Sequence, residues 1–355
     1  MSNKRIKKKQ AKLRRCALCG KPLPREHDHR VVGQTGQSVC LYCLTVSHRI
    51  LAKPEAEHGK PITATTPRQL IAQLDRSIIG QDQAKRAVSI ALWKQMLRLK
   101  GIDLPNPGLL LYGPTGCGKT ALAREAARAA GLPFLVYDST TLTEAGYKGN
   151  SAEDIIKALK NSYPGQDVSK AVIFLDEIDK LAARGNETRQ QYNRGTQHSL
   201  LKLIEGSDVD GISTQHMLFL FSGAFTGIGT TEKACRTIGF NRQEECIETC
   251  SELHPSDFIS YGMEPELMGR ICRCVPISPL TEEDLRRILL ESDLSHFRTY
   301  QTFFQSQNWE FLLSEEEQNI LIQEALSRGL GARGLNALVE EWAEEKLIEL
   351  SEAMQ

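Results

Sequence analysis

The chain has 355 residues, and its 44 Lys and Arg balance 44 Asp and Glu, so the formal net charge at pH 7 is zero. A chain of this length is expected to form two or three domains, each able to bury its own core. Because no apolar run approaches the length of a membrane-spanning helix and no signal-peptide core is present, we expect a cytoplasmic protein without a membrane partner, whose ten cysteines are reduced.

The N-terminal tail, residues 1–15, is strongly basic. It carries eight Lys or Arg and no acidic residue. A solvated tail is the simpler interpretation, and weak contact with nucleic acid is the alternative. We expect no dedicated nucleic-acid partner.

Two C-x2-C pairs follow the tail. They are Cys16 with Cys19 and Cys40 with Cys43, separated by twenty residues. This spacing places four thiolates around one tetrahedral Zn²⁺, and a reducing compartment disfavours disulfides. We predict a zinc-binding module over residues 16–52, in which the metal supplies the folding energy. A polar, proline-marked linker is predicted over residues 53–67.

A complete phosphate-binding loop lies between an apolar run at Leu109–Tyr112 and a helix-forming run at 121–130. Its residues are Gly113, Pro114, Thr115, Gly116, Cys117, Gly118, Lys119 and Thr120. The glycines let the backbone N–H groups surround a polyphosphate, the lysine reaches the β- and γ-phosphates, and the threonine hydroxyl binds Mg²⁺. The motif predicts binding of ATP with Mg²⁺.

A second motif supplies the acidic residues that hydrolysis of a bound nucleotide requires. The run 171–175 is apolar and rich in β-branched and aromatic residues, as in a buried parallel strand, and it is followed by Asp176 and Glu177. Asp176 is placed to bind Mg²⁺ beside the phosphates, and Glu177 to deprotonate the attacking water. The two motifs together predict hydrolysis of a nucleoside triphosphate.

The pattern after the linker divides into two parts. Helical and strand patterns alternate over residues 68–277, as in an α/β domain. Residues 278–355 are almost purely helical, with a capping box at Thr281–Asp284, a second apolar stripe over 312–326 and a third over 335–350. The fold class predicted is a large α/β ATPase domain followed by a small helical domain.

From Leu70 to the C-terminus, and through the zinc module, the chain resembles the ClpX family of AAA+ unfoldases. The segment 77–85 is similar to the family's adenine-contacting segment, which assigns Ile79 to ATP binding. The segment 140–149, which contains Tyr147, resembles the first pore loop. Pro265–Arg270 and Gly331–Leu335 resemble two nucleotide-sensing arginine motifs.

The resemblance implies a P-loop ATPase that forms a homo-hexameric ring. Arg270 would meet the γ-phosphate of the neighbouring subunit, and Arg333 would report the nucleotide state of its own chain. Tyr147 would grip unfolded or tagged protein substrates in the axial pore. The zinc module would receive substrates or adaptor proteins.

A short apolar segment, Ile238-Gly239-Phe240, lies among polar residues and has no periodic pattern that would bury it. Exposed apolar tips of this kind serve a pocket on a partner. The resemblance implies docking on a ClpP-type peptidase. The alternative is a loop that folds its Ile and Phe onto its own domain.

The segment 207–215 departs from the family pattern. It is short and acidic where the family carries a longer insertion with a basic pore-entry loop. We therefore interpret the chain as a divergent paralogue that acts as an ATP-dependent unfoldase. A nucleic-acid motor, a remodeller that works without ClpP, and a catalytically weak regulatory subunit remain the alternatives.

Overall fold

The computed structural model describes residues 16, 30–32, 38–40, 66–106, 108–142, 150–228, 253–271 and 273–353. The chain separates into two compact units, Met1–Lys60 and Pro61–Gln355. In the first unit, strands β1 (Arg30–Val32) and β2 (Ser38–Cys40) pair antiparallel, with Arg30 opposite Cys40. Cys16 is buried.

The second unit alternates strands and helices before it becomes helical. Its strands are β3 (Leu109–Tyr112), β4 (Phe134–Asp138), β5 (Val172–Asp176), β6 (Asp208–Val209), β7 (Ile212–Ser213), β8 (Leu218–Gly223) and β9 (Arg273–Pro276). Its α-helices are α1 (Pro67–Ser77), α2 (Asp82–Leu99), α3 (Lys119–Ala130), α4 (Ala152–Ser162), α5 (Glu187–Glu205), α6 (Pro255–Tyr261), α7 (Pro265–Arg270), α8 (Glu282–Leu290), α9 (His296–Ser306), α10 (Glu315–Arg328) and α11 (Gly331–Ala353).

Five of these strands form one parallel sheet in the order β4-β5-β8-β3-β9. Every residue of β3 and β8 is buried, because helices cover both faces of the sheet. Successive strand residues alternate between the faces. Leu109 and Leu111 share a core with α1, α2 and α3, whereas Leu110 shares a core with α4, α5, α6 and α7.

The carboxyl ends of the three central strands meet at one edge of the sheet. The phosphate loop follows β3, Glu177 follows β5, and Ala224 follows β8. Because β5, β8 and β3 are hydrogen-bonded neighbours, residues distant in sequence come together there. The predicted α/β class is confirmed, and β3 has the predicted bounds.

The helical region after β9 has its own core of aromatic and aliphatic side chains, among them Phe304, Phe311 and Ile322. Thr281 caps α8 through the predicted capping box with Asp284. The second stripe was predicted too early in the chain: α10 begins only at Glu315, because Ser314 caps it, and Leu312 before it is 64% exposed. The third stripe is confirmed by α11.

The acidic segment 207–215 folds as a short hairpin of β6 and β7. The Thr214 hydroxyl holds its base, donating to the Leu203 carbonyl at 2.7 Å and accepting from the Ser207 N–H at 2.9 Å. Asp208, which begins β6, and Asp210, in the turn between the strands, are exposed. The hairpin thus carries exposed carboxylates at the position where the family resemblance implies a basic pore-entry loop.

No helix within the described ranges combines the length and the apolar composition that crossing a membrane would demand.

Candidate active site

The phosphate loop turns back on itself between β3 and α3 through left-handed glycines. Gly116 and Gly118 have φ of 76° and 91°, a conformation that costs most other residues free energy. The Gly113 N–H donates to the Gly223 carbonyl at 3.2 Å, which ties the loop to the end of β8. Cys117 is buried in the loop, and burial raises the pKa of its thiol.

Lys119 opens α3 and is buried. Its ammonium donates to the carbonyls of Gly113 and Pro114, both at 2.7 Å, so it lies within the curve of the loop. Burial lowers the pKa of Lys119, and the guanidinium of Arg333 lowers it further, whereas the nearby carboxylates oppose the shift. Lys119 and Arg333 line the same cavity.

Thr120 and Asp176 form an oxygen-rich pair beside the lysine. The Thr120 hydroxyl donates to Asp176 Oδ2 at 3.0 Å, and Asp176 Oδ1 accepts from the Glu177 N–H at 3.0 Å. A hydroxyl and a carboxylate at the mouth of a phosphate loop are the hard oxygen donors that Mg²⁺ prefers. The residues present therefore fit this cation.

Glu177 leaves β5 with an unusual backbone. Its φ of 55° and ψ of 36° are left-handed, and its side chain is exposed at the start of a 3-10 turn, Ile178–Leu181. A non-glycine residue in this region is strained, and such strain tends to cluster at functional sites. The turn also carries Asp179, whose buried carboxylate accepts from the Ala224 N–H at 3.2 Å.

The N-terminus of α11 lies directly on the phosphate loop. The Ala332 N–H donates to the Gly116 carbonyl at 3.0 Å. A Cβ added to Gly116 would lie 2.0 Å from the Leu330 carbonyl oxygen, and one added to Gly331 would lie 2.7 Å from the Gly116 carbonyl oxygen. Two glycines thus allow the backbones of the helical region and the loop to meet.

These elements enclose a cavity of about 820 Å³. It is lined on one side by the loop, Asp176, Glu177 and Asp179, and on the other by α9 and α11. The residues predicted from sequence that it brings together are Thr115, Gly116, Gly118, Lys119, Thr120, Asp176, Glu177 and Arg333. The volume and the charges suit a nucleoside triphosphate.

Two residues that line this cavity on the side of α9 and α11, His296 and Glu340, were not predicted from the sequence. Glu340 on α11 accepts from the Tyr300 hydroxyl at 2.5 Å, and its other oxygen lies 2.7 Å from His296 Nδ1. The hydrogen bond to Glu340 raises the pKa of Tyr300 to about 12. No motif marks these residues, because they come together only when α9 packs on α11. Asp179 lies three residues after Asp176, but its buried role had no separate signal in the sequence.

Other predicted residues lie elsewhere. Arg270 ends α7, pairs with Glu205 and does not line the cavity of its own chain. Ile79 is buried and is not part of the lining. Cys19, Cys43, Tyr147 and the segment 238–240 lie outside the described residues.

Known proteins with similar sequences identify the family of this chain. The profile of the family described as "ATPase family associated with various cellular activities (AAA)" matches residues 109–240. The chain is 31% identical to the "ATP-dependent Clp protease ATP-binding subunit ClpX" of Borrelia duttonii, with 98% of this chain and 89% of that protein covered. It is 33% identical to the protein of that name from Treponema denticola, with 92% and 87% covered. The chain therefore belongs to the ClpX family of AAA ATPases.

Proposed function

We propose that the chain is an ATP-driven protein unfoldase that works as a homo-hexameric ring. The observation that carries the proposal is the cavity that unites Lys119, Thr120, Asp176, Glu177 and Arg333. The printed names of the relatives, which describe ATP-binding subunits of a Clp protease, support it. We retain the division into a basic tail (1–15), a zinc module (16–52), a linker (53–67), a large domain (68–277) and a small domain (278–355).

The residues around the loop bind ATP. Backbone N–H groups of Gly113–Thr120 and the Lys119 ammonium hold the phosphates, and Ile79 contacts the base. Thr120 and Asp176 would hold Mg²⁺, which would supply positive charge beside the phosphate oxygens. The buried Lys119 ammonium, which donates to two loop carbonyls, is preorganised to donate to phosphate oxygens in their place.

Hydrolysis requires a base and groups that stabilise the developing charge. Glu177, which lines the cavity directly after β5, takes the proton of the attacking water. Arg333 reaches the phosphates from the small domain of the same chain, so the position of that domain depends on the nucleotide.

Arg270 completes the site of the neighbouring subunit. Its exposed position at the end of α7, away from the cavity of its own chain, supports a role in trans. The ion pair with Glu205 holds the Arg270 guanidinium in place when no neighbouring subunit contacts it. In the ring, Tyr147 faces the pore and pulls unfolded or tagged protein substrates.

The ring delivers substrates to a ClpP-type peptidase through Ile238, Gly239 and Phe240. A single loop binds weakly, and several loops on one ring bind together by avidity. The support is the apolar tripeptide in a polar segment and the printed names of the relatives.

Phe240→Ala is expected to abolish degradation of a labelled unstructured polypeptide by a mixture with a ClpP-type peptidase, while ATP hydrolysis is unchanged. The substitution removes the apolar anchor of docking and no group of the ATPase site. Phe303→Ala, which changes an exposed phenylalanine on α9, is the matched control and should degrade normally. A parental protein that never associates with the peptidase in ATP would identify a stand-alone remodeller.

The N-terminal module holds Zn²⁺ through Cys16, Cys19, Cys40 and Cys43 and receives substrates or adaptors. The support is the ligand spacing, together with a two-stranded sheet that ends at Cys40. Because the thiolates lie far in sequence from the phosphate loop, the metal is expected to stabilise the module rather than the ATPase site.

Metal analysis of protein purified without chelator is expected to give at least one zinc per chain, and Cys16→Ser should hold one fewer while keeping ATP turnover. Cys274→Ser, which changes a cysteine in β9, should keep the zinc and serves as control. Absence of zinc from the parental protein would refute the assignment.

A further inference from the structure

Three metal-ligating side chains meet on the outer surface of the ATPase unit, away from the nucleotide cavity. His198 projects from the middle of α5, and Glu264 and Glu266 lie at the start of α7. One donor atom from each lies within 4.8 Å of the others. His198 and Glu266 are exposed, and Glu264 is mostly buried. None of the three lines the cavity described above.

The contacts of Glu264 leave one of its carboxylate oxygens directed toward the imidazole. Oε1 lies 3.2 Å from Arg194 Nε, whereas Oε2 lies 3.9 Å from His198 Nε2. The Glu264 N–H donates to Gln197 Oε1 at 2.8 Å, which holds the backbone of this residue against α5. Arg194 can therefore keep its partner while Oε2 binds a second cation.

The donor set favours a transition metal over Mg²⁺. One imidazole nitrogen with two carboxylate oxygens is a common set for Zn²⁺ and other divalent first-row metals, whereas Mg²⁺ prefers oxygen alone. Bonds of about 2.0–2.2 Å place neighbouring donors roughly 3–4 Å apart, close to the separation seen between His198 and Glu264. A dication between the two carboxylates would also remove their mutual repulsion.

We propose that His198, Glu264 and Glu266 bind one divalent transition-metal ion of the zinc type. This site is separate from the four-cysteine module near the N-terminus and from the Mg²⁺ position at Thr120 and Asp176. Exposed histidine and glutamate ligands with remaining water positions give an exchangeable site, in contrast to a closed site made of four cysteines.

The ion would connect α5 to α7 at the end of α7 opposite to Arg270. Arg270 is already tied to Glu205, which lies seven residues, or about 10 Å, beyond His198 along α5. Metal binding would add a further link to the contacts that already hold the start of α7 on α5. This consequence rests on the proposed role of Arg270 in trans, whereas the metal site itself does not.

The test is calorimetric titration of the full-length parental protein with ZnCl₂, without nucleotide or chelator. The parental protein is expected to bind one zinc more per chain than the His198→Gln variant, with micromolar affinity. Glu264→Gln and Glu266→Gln should each weaken this binding at least about tenfold. His216→Gln, which changes another exposed histidine, should titrate like the parental protein.

The comparison with His198→Gln separates this site from the cysteine module, which every variant retains. Thermal unfolding checks that the surface substitutions leave the fold intact. A His198→Gln variant that binds as much zinc as the parental protein, with the same affinity, would overturn the proposal. Because the titration uses no ATP, failure here would leave the proposed ATPase mechanism standing.

Discussion

A Glu177→Gln variant is expected to bind ATP with parental affinity and to hydrolyse it about 10²–10⁴-fold more slowly. The amide has the size of the carboxylate but cannot accept the proton of the attacking water. Thr120, Asp176 and Lys119, which hold the phosphates and Mg²⁺, are unchanged. Steady-state phosphate release together with equilibrium binding of a fluorescent ATP analogue separates the two effects.

Two further variants sharpen this test. Glu153→Gln changes an exposed glutamate on α4 and should hydrolyse ATP normally. Lys119→Ala should instead weaken binding itself, because the ammonium contacts the phosphates directly. Parental turnover by Glu177→Gln would show that the base is a different residue.

The same Glu177→Gln variant offers a route to the substrates. A ring that binds ATP without hydrolysing it should hold the polypeptides that it has engaged. Proteins recovered with this variant in ATP, and absent when Lys119→Ala is used, are expected to be substrates or adaptors.

Gly116→Ala is expected to weaken nucleotide binding by at least about tenfold, or roughly 1.4 kcal/mol. The new methyl group would lie 2.0 Å from the Leu330 carbonyl oxygen, an impossible distance between atoms that are not bonded. Either the loop or the N-terminus of α11 must move, and the hydrogen bond from Ala332 to Gly116 is lost. Arg333, which follows Ala332, moves with it.

Gly165→Ala is the matched control for this substitution. Gly165 has φ of 78°, close to the 76° of Gly116, and a Cβ there meets nothing within 4 Å. Both variants incur the cost of a left-handed alanine, roughly 1–2 kcal/mol, and only Gly116→Ala adds the clash. If the two variants bind nucleotide equally well, the contact between loop and α11 has no role in binding.

The sequence predicted those parts of the site that depend on local motifs. The phosphate loop needs its glycines and lysine at fixed spacing, and β3 before it is a continuous apolar run, so both could be recognised. The acidic residues after β5 were equally clear. The capping box at Thr281 marked the start of α8 because its hydrogen bonds span only three residues.

The remaining features arise from contacts between distant segments. The approach of Gly116 to Leu330 joins residues more than 200 positions apart, and the motifs that contain Gly116 and Gly331 do not reveal that the two segments meet. The Tyr300–Glu340–His296 contacts depend on how α9 packs on α11. The second apolar stripe was predicted to begin at residue 312, two residues before the cap of α10. This prediction was wrong because Leu313 is buried without being helical.

The first helix of the ATPase unit is also bound to the helical region. The Ser292 hydroxyl donates to the Ser77 carbonyl at 2.5 Å, and the Asp293 N–H donates to the Arg76 carbonyl at 3.0 Å. These carbonyls end α1 and lack partners within the helix. A rotation of the helical region must therefore break both bonds or carry α1 with it. Since Leu70 and Leu74 anchor α1 in the core beside the sheet, a rotation that carried α1 along would also have to disturb this packing.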